Sequence, residues 1–253
     1  MEKKERILSA ILDAGEIMLA SGGEISRVES TIEHMASAYG FVRADVFAVI
    51  SSILVTVQDE EGNTATQSRR IAARDTNMRK VERINDLSRR VCKEPLSLEE
   101  LEREISEARQ AKGYPDWLVF LMYGVISASF TVFFGGSWGD GIASFVSGLF
   151  MRVVQVLGLR LKIQSIILNI FCSGAAALVG IALVRLGLAQ SVDMIVIGNI
   201  MPLIPGIAMT VSLRDLLWGD FISGLSGLCE ALIKAIAIAA GPALVIWQFG
   251  GVL

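Results

Sequence analysis

The stretch IQSIILNIFCSGAAALVGIAL, residues 163–183, runs for 21 residues without a charged side chain. At about 1.5 Å per residue a helix of that length matches the hydrocarbon thickness of a bilayer, roughly 20 apolar residues. Four further stretches on the same side of the chain read alike: 117–134, 142–157, 192–211 and 221–249. The second is the shortest and has its start nearer Trp138, with Arg152 close to one end where it snorkels to the interface. The last is long and is expected to tilt or break near Gly241-Pro242. Charge follows the same division. Residues 1–116 hold 17 Lys and Arg and 21 Asp and Glu, whereas residues 117–253 hold 6 and 5. A water-facing surface needs more ionic side chains than that. The expected fold is therefore an α-helical integral membrane protein with about five transmembrane helices (117–253), attached to an N-terminal cytoplasmic α+β domain (1–116) that contains a β-hairpin.

In the polar half, Ile7, Leu8, Ile11, Leu12, Met18 and Leu19 recur at helical spacing, and Gly22-Gly23 stops the pattern. Ser26 with Glu29 reads as a capping box opening a second helix, which Gly40 ends. The β-branched run VFAVISSILVTV (46–57), the turn DEEGN (59–63) and TATQSRRI (64–71) read as a hairpin of one buried and one exposed strand. A lone hairpin is marginal, so it must pack on helices or pair with a further strand. Val81, Ile84, Leu87 and Val91 mark a third helix, and Ser97 with Glu100 caps a fourth. Arg69, Arg70 and Arg74 read as a solvated strand end, since no Gly-rich loop accompanies them. His34 reads as a helix-surface residue.

Several function classes are excluded at this level. A net charge of −3 gives no electrostatic case for nucleic acid. Cys92, Cys172 and Cys229 have no metal or disulfide spacing, and the single histidine rules out a histidine-built metal site; no cofactor is expected. The N-terminus lacks the apolar core of a signal peptide. Among the short loops, 135–140 has no Lys or Arg, Arg152, Arg160 and Lys162 fall around the second, the third has Arg185 alone, and the fourth has Arg214. The positive-inside rule then puts the polar half in the cytoplasm and the C-terminus outside. The small residues Ser173, Gly174, Ala175, Ala176, Ala177 and Gly180 mark a helix-packing face that also carries Asn169. A weaker stripe of Asp140, Ser144, Ser147 and Met151 runs through the second span, with Asp140 read as a helix cap.

Chemistry concentrates in GNIMPLIPGIAMTVSLRDLLWGDFISGLSGLCEALIKA, residues 198–235. Pro202, Pro205 and Gly206 interrupt the fourth span, and proline removes a backbone donor and clashes with the preceding turn. Such breaks are tolerated in a membrane only where protein or a water-filled cavity satisfies the freed groups, and transporters use them to bind solutes. Arg214 and Asp215 follow. Asp220, Ser223, Gly227, Glu230 and Lys234 are spaced to share one helical face, with Glu230 and Lys234 in the favourable i,i+4 order. Ionisable groups in a span mark pathways, relays or structural pairs.

The run PLIPGIAMTVSLRDLLWGDFISGLSGLCEA (202–231) resembles the signature of the threonine/serine exporter family, and SRVESTIEHMASAYG (26–40) resembles the start of that family's cytoplasmic domain. The resemblance covers essentially the whole chain. It implies a bacterial inner-membrane exporter of small polar metabolites driven by the proton motive force. In split members of the family a second, small membrane subunit completes the transporter, and some split pairs are associated with dicarboxylate (succinate) export. One departure stands out: where the family pattern has a basic residue three before its Glu, this chain has Gly227, which leaves Lys234 or Arg214 as partner of Glu230.

The resulting expectation is a secondary transporter and not an enzyme. Asn199, Pro202, Pro205, Gly206, Thr210, Ser212, Arg214, Asp215, Ser223 and Lys234 are the candidate substrate-binding residues. Asp220 and Glu230 are the candidate proton carriers. The expected partners are a small polar solute, the bilayer, and a small second subunit or further copies of the chain. Two alternatives remain: a non-transporting regulatory or assembly subunit, and a membrane-embedded hydrolase using Ser212 or Ser223, for which the membrane half supplies no histidine.

Overall fold

The computed structural model describes residues 2–72 and 74–249. In chain order the elements are α1 (Glu2–Ala20), α2 (Ile25–Ala38), β1 (Arg43–Val49), β2 (Ser52–Gln58), β3 (Thr64–Arg70), α3 (Met78–Lys93), α4 (Leu98–Arg109), α5 (Asp116–Phe133), α6 (Trp138–Arg160), α7 (Ser165–Arg185), α8 (Val192–Ile200), a 3-10 turn (Met201–Leu203), α9 (Gly206–Trp218) and α10 (Phe221–Phe249). Contacts divide the chain into two compact units. Unit 1 is Met1–Gly113 with Ile207–Leu228; unit 2 is Tyr114–Gly206 with Cys229–Leu253.

Unit 1 is built around α1. Leu8, Ile11, Leu12, Met18 and Leu19 are fully buried, as their spacing predicts, and meet Ile32 and Met35 of α2, Ile84 and Leu87 of α3 and Leu101 of α4. The chain leaves α1 through Gly22 at φ +91°, a left-handed backbone that favours glycine, and the Gly23 N–H closes back on the Met18 carbonyl at 2.9 Å. The Ser97–Glu100 capping box forms as read. The Ser26–Glu29 box does not. Helix α2 starts two residues earlier than that box requires, with Glu24 at its N-cap, and Glu29 instead accepts the Ala48 N–H of β1 at 2.8 Å.

The expected hairpin is also corrected. The run 46–57 is not one strand: the chain reverses at Ile50-Ser51, giving a three-stranded antiparallel sheet in the order β1-β2-β3, with Val49 opposite Ser52 and Val46 opposite Val55. Twelve extended residues span roughly 40 Å, beyond the usual strand length, and folding back lets Ile53, Val55 and Val57 all face the helices. Arg69 is tied down by Asp13 at 2.8 Å and by the Ser9 hydroxyl. His34 is on the surface of α2.

Helices α5, α6, α7 and α10 are long and apolar enough to cross a membrane. The pair Val192–Leu203 and Gly206–Trp218 also qualifies if taken as one broken span, bent by 58°. The expected break at Gly241-Pro242 is absent. Helix α10 continues through Pro242, and Gly241 lies directly against the α7 backbone at Ile170 and Gly174, where small residues let the two helices approach. The small-residue face of α7 is buried at Ser173, Gly174, Ala176, Ala177 and Gly180. Large apolar side chains such as Leu121, Phe133, Phe150, Phe171 and Leu178 point outward, as lipid-facing surfaces do.

Candidate functional site: a broken span and a polar seam

The interruption at Pro202 and Pro205 is real. Helix α8 stops at Ile200, Met201–Leu203 make a single 3-10 turn that takes in Pro202, and Ile204 is extended at φ −61°, ψ 127°. Pro205 follows and α9 begins at Gly206. Neither proline has an N–H to donate, so the Gly198 carbonyl, four before Pro202, loses its i+4 donor, while the Met201 carbonyl, four before Pro205, accepts the Ile204 N–H at 3.3 Å instead.

The α8 half carries a buried polar seam. Ser127 and Thr131 of α5, Ser144 and Ser147 of α6 and Asn199 of α8 are all fully buried. The Asn199 Nδ2 donates to Ser144 Oγ at 3.0 Å and to the Ile195 carbonyl at 2.8 Å. The Thr131 hydroxyl is within reach of Ser144 Oγ at 2.7 Å, the Ser127 carbonyl at 2.9 Å and the Met194 carbonyl at 3.3 Å. Ser147 donates to the Ala176 carbonyl at 2.8 Å. Among the described residues two buried atoms have no partner: Asn199 Oδ1 and Ser127 Oγ. Gly198 makes this closeness possible, since a Cβ there meets the Ser127 carbonyl at 2.6 Å and the Thr131 backbone nitrogen at 2.8 Å. Asp140 is a cap, as its position suggests. It closes a capping box with Ser137, and its second oxygen accepts the Gln190 and Ser191 N–H groups at 2.6 and 2.9 Å, pinning the start of α8 to α6.

In unit 1 the residues after the break serve a different end. Arg214 Nη1 pairs with Glu24 at 2.7 Å. The Asp215 carboxylate, 6% exposed, accepts the N–H of Ile25. Neighbouring residues of α9 thus grip the N-cap and first residue of α2, and Asp215 supplies the capping oxygen that Glu24 does not. Glu29, on the same helix, has its carboxyl pushed above its ordinary range. Burial is the main cause, the Ala48 N–H opposes it, and the negative charges of Asp220, Glu33 and Asp215 add to it. Gly219 at φ +99° turns the chain into α10. Ser212 and Ser223 are buried, and the missing side chain at Gly227 leaves the space taken by Ser212. A larger residue at position 227 therefore requires the Ser212 hydroxyl to turn away.

Glu230 and Lys234 form their i,i+4 pair at 2.7 Å, with Glu230 half-exposed. Of the residues singled out from the sequence, Asn199 joins the seam of unit 2, and Ser212, Arg214, Asp215, Asp220 and Ser223 gather in unit 1. Pro202, Pro205 and Gly206 form the break, Thr210 lies on α9, and Lys234 is held by Glu230. Sequence reasoning missed Ser127 and Thr131. Their i,i+4 spacing on an apolar helix, one turn beyond Gly124, was the available signal. No group of three or more acidic, cysteine or histidine side chains suited to a metal ion occurs among the described residues.

Residues 9–250 match the sequence profile of the family described as "Putative threonine/serine exporter". A "Probable threonine/serine exporter" of Mycobacterium tuberculosis is 23% identical over 93% of this chain, which spans only 45% of that protein. A "Probable succinate transporter subunit YjjP" of Escherichia coli is 23% identical over 99% of this chain and 98% of its own length. A protein of the same description from Klebsiella aerogenes is also 23% identical, over 92% of this chain. No solved structure matches the chain.

Proposed function

The chain belongs to the threonine/serine exporter family and is a multi-pass membrane protein, and from that premise we propose that it is a subunit of a secondary transporter that exports a small polar metabolite across the bacterial inner membrane. The observation that carries this reading is the broken span at Met201–Pro205. An apolar helix that gives up its hydrogen bonds inside a membrane needs a compensating ligand or cavity, and discontinuous helices supply solute sites in secondary transporters. The transported solute is threonine, serine or a dicarboxylate such as succinate. The export is proton-coupled, with Asp220 and Glu230 as the carriers, and the N-terminal domain (1–116) faces the cytoplasm.

The residues proposed for the solute divide as the units do. In unit 2 they are Asn199, Pro202, Pro205, Gly206 and Lys234; in unit 1 they are Thr210, Ser212, Arg214, Asp215 and Ser223. Arg214 now spends its charge on Glu24, so a solute carboxylate has to displace Glu24 to reach it. That exchange would connect solute arrival to the start of α2. A second reading is favoured by one finding: the E. coli relative of matching length is described as a subunit. On that reading this chain needs a second membrane subunit for flux, or serves such a complex without itself carrying the solute.

The test is efflux from cells loaded with threonine, serine or succinate, with and without the chain. The proposal expects faster loss of one solute when the chain is present, and no acceleration with Glu230→Gln. Equal efflux with and without the chain and its partner overturns it.

A further inference from the structure

In the seam between α5, α6 and α8 the Asp140 carboxylate is committed to Ser137, Gln190 and Ser191, yet two other oxygens are left unanswered. Both Asn199 Oδ1 and Ser127 Oγ are fully buried. The orientation of the Asn199 amide is fixed by chemistry. One end faces the Ile195 carbonyl at 2.8 Å, and a carbonyl can only accept, so that end must be the NH2 and the other end the oxygen. The open group is therefore an acceptor. Ser127 Oγ stands against Gly148, where a Cβ would lie 2.6 Å away, and Asn199 stands against Ser144, one turn earlier on the same helix. Thr131 links the two through its bonds to Ser144 and to the Ser127 carbonyl. Asn199 is also in the last turn of α8, just before the break. The partial negative charge of the helix C-terminus gathers there, along with the Gly198 carbonyl, which Pro202 leaves without its i+4 donor.

We propose that this seam is a binding site for a small monovalent cation, held by neutral oxygens: Asn199 Oδ1, the Ser127 hydroxyl, and the Gly198 carbonyl that Pro202 leaves without its i+4 donor. An open amide acceptor beside a negative helix end selects positive charge and rejects an anion. The seam's carboxylate, Asp140, has both oxygens engaged in capping, which disfavours a divalent ion, since such an ion draws on carboxylate oxygens. Neutral oxygens at a helix break suit sodium, whose water they replace. The ammonium group of a zwitterionic solute presents the same chemistry. Its ligands include neither Asp220 nor Glu230, and it gives the protein an ion dependence that those carboxylates do not explain. Thermodynamically it stands apart from the export reading, because binding does not require flux.

The test uses the purified full-length chain in lipid nanodiscs. The thermal unfolding midpoint is followed as sodium chloride replaces N-methylglucamine chloride at constant ionic strength, and in a second series as methylammonium chloride replaces it. A ligand that binds only the folded state raises the midpoint with concentration. The wild type is expected to respond to sodium. Ser127→Ala, which removes one small oxygen, should raise the half-effective concentration about tenfold. Asn199→Asp should lower it, and Asn199→Leu should abolish the response. A response to methylammonium but not sodium assigns the site to a solute's ammonium group. Identical midpoints in all three salts, or a sodium response unchanged in Ser127→Ala and Asn199→Asp, overturns the proposal, whether or not the chain exports anything.

Discussion

Gly198→Ala is the substitution whose cost the structure states most directly. A methyl at position 198 meets three atoms of α5: the Thr131 hydroxyl, the Ser127 carbonyl at 2.6 Å and the Thr131 backbone nitrogen at 2.8 Å. Real Cβ contacts are not that close, and two of the three atoms are backbone, so α8 has to move away from α5. Overpacking of this kind costs about 1–3 kcal/mol. The move also strains the Thr131–Met194 and Asn199–Ser144 hydrogen bonds, each worth about 1 kcal/mol. Alanine's better helix propensity returns up to about 1 kcal/mol, so the net loss is expected at about 2–3 kcal/mol. Gly206→Ala is the control. It lies eight residues on in the same broken segment, a Cβ there meets nothing within 4 Å, and its change is expected within about 0.5 kcal/mol of zero. The assay is unfolding of the two variants side by side in the same lipid or detergent, read as the unfolding midpoint. Adding Thr131→Ala removes the side-chain clash but neither backbone clash, so it should not restore Gly198→Ala. Equal midpoints for Gly198→Ala and Gly206→Ala, or full rescue by Thr131→Ala, would refute the claim that α5 and α8 touch backbone to backbone.

Three further outcomes follow from the same geometry. Glu29 has a folded pKa above its ordinary 4.5, so the folded state holds its proton more tightly; its stabilising contribution is full below about that value and is lost as pH rises through the raised one. Glu29→Gln, which keeps an acceptor for the Ala48 N–H, should therefore raise the unfolding midpoint at pH 7, and the gain should vanish towards pH 4. Asp140→Asn should lower stability by about 1.5–3 kcal/mol, because an amide has one accepting oxygen where the carboxylate serves Ser137 with one and Gln190 and Ser191 with the other; chemical denaturation measures it. Arg214→Ala removes a half-exposed ion pair and should cost only about 0.2–1 kcal/mol in stability, so a large loss of flux in this variant, measured beside its unfolding midpoint, separates a role in transport from a role in folding.

The long apolar stretches were legible because membrane solvation acts on composition, which a sequence displays openly. The break at Pro202 and Pro205 was legible for a similar reason, since proline acts on its own backbone. Other features were hidden because their causes lie elsewhere in the chain. Nothing at Ile50-Ser51 carries the Gly or Asn chemistry that announces a hairpin turn, so β1 and β2 read as one strand. Ser26 and Glu29 have the right spacing for a cap, but the oxygen that caps α2 comes from Asp215 of α9, and Glu29 is drawn off to β1. Ser127 and Thr131 look like ordinary packing residues until Ser144 and Asn199 are placed against them. Gly227 read as a departure from a charge pattern, whereas its packing against Ser212 shows a steric reason for glycine.

The most direct test of the central claim is counterflow in proteoliposomes, with radiolabelled threonine, serine and succinate offered to this chain alone and together with a small membrane subunit of the kind found in split exporters. The account predicts exchange of one of these solutes, lost with Glu230→Gln and impaired with Gly198→Ala. Folded, correctly inserted protein that exchanges none of the three in either arrangement would contradict the transport reading and leave the broken span with a different task.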